Sequence, residues 1–127
     1  MTDIERLNAL KDECVIYYSP EDTSWIAHSL NTDQIGFGDC VVDAIVDLMV
    51  GVSNLLELAE KKDVAVIVQA PEEIQRLRDS AKRLPNSITQ IAKEKFYHQL
   101  SSEWSFQFRV PQSDCVTTSL PLEELYV

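Results

Sequence analysis

Between Val15 and Ala59 the chain changes its hydrophobic period once, and that change limits the fold more than any other feature. Glu13–Ser19 and Trp25–Leu30 are short runs rich in β-branched and aromatic residues, the composition of half-buried strands. Pro20-Glu-Asp-Thr23 between them supplies turn chemistry, so the two runs read as an antiparallel hairpin. Asn31-Thr-Asp-Gln34 turns again, and Ile35–Phe37 forms a third short strand. From Cys40 to Ala59 the period becomes helical. Val41, Ala44, Ile45, Leu48, Val52, Leu55, Leu56 and Ala59 share one stripe, with Asp43, Asp47, Asn54 and Glu57 opposite. Asp39 is the expected N-cap. Gly51, inside the helix, marks an expected close approach to a neighbour. Val46 and Val50 fall toward the polar side as a small contact patch.

The remaining residues extend this unit. Val64–Val68 is a β-branched run, read as a buried strand or an extended segment along a sheet edge. Pro71 followed by Glu72 and Glu73 opens a second helix, with Ile74, Leu77, Ala81 and Leu84 inward and Pro85 as its stop. Ser87-x-x-Gln90 has the form of a capping box, starting a third helix with Ile88, Ile91, Ala92, Phe96 and Leu100 inward. Trp104, Phe106, Phe108 and Val110 alternate with polar residues, a strand pattern. Ile4, Leu7 and Leu10 form one short helical face before the hairpin, and Pro111–Val127 has no period. The expectation is one α+β domain over 1–127: a small antiparallel sheet packed by one long helix, extended by two helices and a C-terminal strand. Residues 12–70 form a β-β-β-α-β unit, and 71–127 an α-α-β extension and tail.

Composition narrows the functional classes. Hydrophobic residues make up 45% of the 127, too many for a disordered chain. No apolar run reaches the ~18 residues of a membrane span. The polar, acidic start Met1–Arg6 lacks a signal-peptide pattern. Cys14, Cys40 and Cys115 are odd in number and widely spaced, so free thiols in a reducing cytoplasm are expected. The net charge of −10 sits in residues 1–60, which hold 12 acidic groups and 2 basic ones. Such a surface repels phosphate and suits a basic protein partner.

Three features of the Val15–Ala59 stretch resemble the HicB-like antitoxin domain. Trp25-Ile-Ala27 is similar to that family's W-x-A strand. Gly36-x-Gly38-Asp39 looks like its turn before the helix. Ala44-Ile45-x-x-Leu48 is similar to its EA-x-x-x-L helix start, with Asp43 in place of the usual Glu. Ala70-Pro-Glu-Glu73 looks like the AP-x-E segment of solitary HicB-like proteins. The resemblance implies a partial RNase-H-like fold. It also implies an antitoxin that binds and neutralises a small basic HicA-like RNase toxin. The DNA-binding segment common at the C-terminus of HicB antitoxins has no convincing counterpart here.

No catalytic set assembles from the residues. RNase-H chemistry needs acids on adjacent strands to hold two metal ions about 4 Å apart. The first strand has none at its centre, and Glu13 and Glu21 stand at its ends. Nothing local pairs His28 or His98 with a thiol. Cys40, at a helix N-terminus, is the one cysteine with a case for reactivity. No catalytic, metal or cofactor site is therefore expected. The candidate partner-binding residues are Asp43, Val46, Asp47 and Val50 on the helix and Trp104, Phe106 and Phe108 on the last strand. A spare aromatic strand suggests pairing across a symmetry axis, hence a homo-oligomer. Arg76, Arg78, Lys82 and Arg83 cluster on the helix expected over 72–84 and are candidates for contact with nucleic acid. The reading is a non-catalytic protein-interaction or regulatory module. Its alternatives are the antitoxin and a nucleic-acid binder.

Overall fold

The computed structural model describes residues 12–84, 86–95 and 106–111. β1 (Asp12–Ser19), β2 (Ser24–Ser29) and β3 (Ile35–Gly38) lead into a long helix, α1 (Val41–Lys61). A single helical turn, α2 (Glu72–Gln75), and a 3-10 turn (Arg76–Ser80) precede β4 (Ala81–Arg83), α3 (Asn86–Lys95) and β5 (Phe106–Pro111). The expected α+β arrangement is present: a three-stranded antiparallel sheet packed by one long helix, with further helices and a strand. The strands form one sheet in the order β3-β2-β1-β5-β4. All pairs are antiparallel except β1 with β5.

Period-2 alternation assigns the two faces. Cys14 and Ile16 of β1 and Trp25 and Ala27 of β2 face α1 and make the main core with Val41, Ala44, Ile45, Leu48, Val52 and Leu56. Ile88 and Ala92 of α3 close that core beside α1. Burying one such Leu or Ile side chain contributes about 1.5–3 kcal/mol, so the α1 stripe is the principal stabilising surface. The opposite face is a smaller cluster of Val15, Leu30 and Ala70 with Tyr17, Ile74 and Leu77 against it. Residues 64–70 pass from one cluster to the other, with Val66 in the first and Ala70 in the second.

Two glycines set how closely helix and sheet meet. A Cβ at Gly36 would fall within 3.0 Å of backbone atoms of Ala44 and Leu48. One at Gly38 would do the same against Asp43 and Ala44. The backbone of α1 thus lies directly on β3, a distance no side chain allows. At Gly51, by contrast, an added Cβ would meet only the Gln34 side chain, at 3.6 Å, an ordinary contact. The close approach expected at Gly51 is therefore at Gly36 and Gly38.

Other expectations are corrected by the tertiary structure. The N-cap is Cys40, one residue beyond Asp39. Residues 64–68 form no strand, so the 12–70 unit lacks its closing strand. The Val68 and Ala70 N–H groups donate instead to the carbonyls of Asn31 (2.9 Å) and Leu30 (3.0 Å) in the turn after β2. No helix runs over 72–84. Ala81–Arg83 pairs antiparallel with β5, so the sheet takes the backbone groups a helix would have bonded internally. The last strand is not spare. β5 pairs with β1 over Phe106–Arg109 and with β4 over Arg109–Pro111, so the sheet of its own chain takes it up. The expected inward residues Phe96 and Leu100, Trp104, the short face of Ile4, Leu7 and Leu10, and the tail from Gln112 lie outside the described residues, as do Cys115 and His98. Among the described residues no helix is long and apolar enough to cross a membrane.

Candidate docking surface

β3 is built from an alternation of glycine with large apolar residues. Gly36 and Gly38 face α1, so Ile35 and Phe37 must point to the other side of the sheet. There they stay 43% and 48% exposed. Because the glycines let α1 sit flush on β3, a helix side chain reaches round the strand. Asp47 accepts a hydrogen bond from the Phe37 N–H at 2.8 Å. Val50 lies one turn further along α1 and is also exposed. Ile35 and Phe37 form a short apolar margin on the outermost strand, with Asp47 bonded to it from the helix side, while Val50 is exposed on α1 itself.

This margin divides the partner residues expected on α1. Asp47 borders it, and Val50 is exposed on α1. Val46 turns partly inward and packs against the main core, so it adds nothing to a surface. Asp43 pairs with Lys95 of α3 at 3.7 Å, with both side chains about half exposed, and an exposed pair of that kind contributes little. Phe106 and Phe108 stand on the interior strand β5, and Trp104 lies outside the described residues. Sequence reasoning missed Ile35 and Phe37. The Ile-Gly-Phe-Gly alternation was the available signal: if the glycines face a helix, the large residues face away.

The basic residues are spread over the 3-10 turn and β4 rather than along one helix. Arg76 pairs with Glu72 at 2.9 Å, one turn away. Arg78 reaches Glu13 of β1 at 3.4 Å, and Arg109 of β5 reaches the same carboxylate at 3.5 Å. Lys82 and Arg83 stand on β4. With the 72–84 helix absent, these residues present no recognition helix to a nucleic-acid groove.

A polar network lies under the smaller cluster. His28, 3% exposed, has Nδ1 at 3.2 Å from the Tyr17 hydroxyl and Nε2 at 2.7 Å from Asp33 Oδ1. Asp33 is held at φ 57°, a left-handed conformation that Asp tolerates better than most residues. The same turn is tied by the Thr32 N–H and hydroxyl to the Ser29 hydroxyl, at 3.1 and 2.6 Å. A hydroxyl, an imidazole and a carboxylate in series resemble a nucleophile, its base and an orienting group. The electrostatics oppose that role. Burial raises the Tyr17 pKa, and the nearby Asp22, Asp33 and Glu73 carboxylates raise it further, so the phenol keeps its proton. The network satisfies a buried histidine and fixes the turn from which β3 departs.

Cys40, the thiol with a case for reactivity, is fully buried, and burial raises its pKa despite the helix N-terminus. Cys14 is also free and buried. Among the described residues no three His, Cys, Asp or Glu side chains are grouped to hold a metal ion. Asn54, Glu57, Leu58 and Lys61 line an open depression on the outer side of α1. Comparison of the chain with protein-family models, curated proteins and solved structures finds no match.

Proposed function

We propose that this chain is a HicB-like, non-catalytic protein-interaction module that works in the cytoplasm. The observation that carries this reading is the exposed pair Ile35 and Phe37 on an outermost strand, with the carboxylate of Asp47 bonded to the same strand. Exposed apolar groups gathered at one place are typical of a protein-binding surface. The β-β-β-α order and the glycine clamp of β3 support the HicB-like reading, since the residues of the resemblance carry that packing. The buried free thiols of Cys14 and Cys40 support a reducing compartment. The expected homo-oligomer rests on a spare strand, and β5 pairs with β1 and β4 of its own chain, so that strand does not support it. The nucleic-acid alternative likewise loses its helix.

The sharper form of the reading is an antitoxin whose acidic first half covers a small basic RNA-cleaving toxin. Its test is co-expression with the product of any short basic reading frame beside the gene. Co-purification and rescue of growth are the expected result. A solitary gene, or a toxic neighbour that this chain neither binds nor silences, would overturn the antitoxin form.

A further inference from the structure

We infer that the outer edge of β3 takes up an extended segment of a partner chain, one in which apolar side chains alternate with lysine or arginine. The inference deepens the interaction-module reading and rests on it. Among the described residues strand order places β3 outermost, and of its outward N–H groups that of Phe37 is held by the Asp47 carboxylate. Asp47 thus acts as a stand-in for a neighbouring strand. An incoming carbonyl would take over the Phe37 N–H and release Asp47 toward the cations of the incoming chain. Ile35 and Phe37 alternate with glycine, so they offer the partner two apolar contacts on one face. Such strand addition draws affinity from backbone bonds and specificity from alternate side chains.

Charge selects the occupant. Asp39 and Asp47 are exposed beside the edge, whereas Asp43, one turn back along α1, is already paired with Lys95. A second copy pairing its own β3 across a two-fold axis would bring these carboxylates against their equivalents. The chain's own tail, residues 112–127, holds three acidic groups and no basic one, so it is repelled in the same way. A basic segment of another protein meets no such repulsion. The opposite edge makes a useful contrast: β4 is only three residues long and carries exposed Lys82 and Arg83, the usual means of blocking strand addition.

The test uses the full chain, isotope-labelled, with two end-blocked octapeptides, one alternating valine with lysine and the other valine with glutamate. Saturable amide shifts at residues 35–38 and 47 with the lysine peptide alone are expected. The binding should weaken at least tenfold in the Ile35→Asn/Phe37→Gln variant, whose melting temperature should stay close to that of the parent because both side chains are exposed. It should weaken similarly when alternate peptide amides are N-methylated. Equal binding by the N-methylated peptide would mean charge adsorption only, and no shift at β3 would mean no docking edge; either result overturns the inference. Shifts of the same amides on concentrating the protein alone would assign the edge to a second copy and overturn it too. The two readings fail separately: an antitoxin that silences its toxin without binding the lysine peptide retains the function but loses this edge.

Discussion

β3 and β4 both lie at the margins of one sheet, yet different forces keep them there. β3 follows β2 through a short turn and precedes α1 directly. Its place is set by neighbours in sequence: the antiparallel register with β2, two glycines under the helix, and the Asp47 carboxylate. β4 has no such local support. It pairs only with β5, a strand that follows after a whole helix, and β5 in turn runs parallel to β1 from the far end of the described chain. The first edge is clamped by its helix, apolar and bordered by acid, and the second is short and basic. The lesson is that an edge clamped by its own helix can keep apolar side chains exposed without losing its register. An edge held by one distant strand carries charge instead.

The strongest way to break this contrast is to unclamp β3. Gly36→Val should cost about 3 kcal/mol or more, since the new side chain meets the backbone of α1 and no rotamer change relieves it. A chemical-denaturation midpoint close to that of the parent would show that the helix can lift off the strand and that the clamp is weak.

A smaller loss is expected from the turn that delivers β3. Asp33→Ala leaves the buried His28 Nε2 without its carboxylate, a loss of about 2 kcal/mol by the usual cost of an unsatisfied buried group. An unchanged melting curve would mean that the network is ornamental. The same network sets an alkaline limit. The folded Tyr17 holds its proton more tightly than the unfolded chain does. Its contribution is complete below the unfolded value of about 10 and is lost as pH rises from there through the raised folded value. Denaturation followed between pH 9 and 12 should show this decline, and Tyr17→Phe should flatten it.

At the other margin the effects should shrink. Glu13→Gln removes the carboxylate shared by Arg78 and Arg109 and should cost about 1 kcal/mol, because all three groups are partly exposed. Lys82→Thr with Arg83→Thr should change stability by no more than about 0.5 kcal/mol. It should also make the basic edge more prone to self-association, read by light scattering. If the double variant stays as soluble and as monodisperse as the parent, the charges on β4 are not what protects that edge.

The hairpin, the third strand and the long helix were legible because each is a local event. The β-branched and aromatic runs at Glu13–Ser19 and Trp25–Leu30, turn residues between them and a helical stripe after Cys40 are all visible within a few residues. The candidate surface was half legible. Asp47 and Val50 could be placed on the outer side of α1 from their period, whereas Val46 could not be assigned to the core without the tertiary packing. Ile35 and Phe37 were hidden because period 2 says that they share a face but not which face the helix covers.

The segment 71–84 shows the opposite case. Its helical pattern was sound as local chemistry, and α2 with the 3-10 turn is what remains of it. Ala81–Arg83 then joins the sheet because β5 offers backbone partners there. By itself the sequence determined the β-β-β-α order, the stripe of α1 and the acidity of the first half, since propensity, periodicity and charge act over one to five residues. The tertiary structure alone decided which strands became edges, that the aromatic strand lies inside the sheet, and that Ile35 and Phe37 meet Asp47 on one margin. Those outcomes depend on contacts between residues far apart in the chain, and the free energy of such contacts is not written in any local pattern.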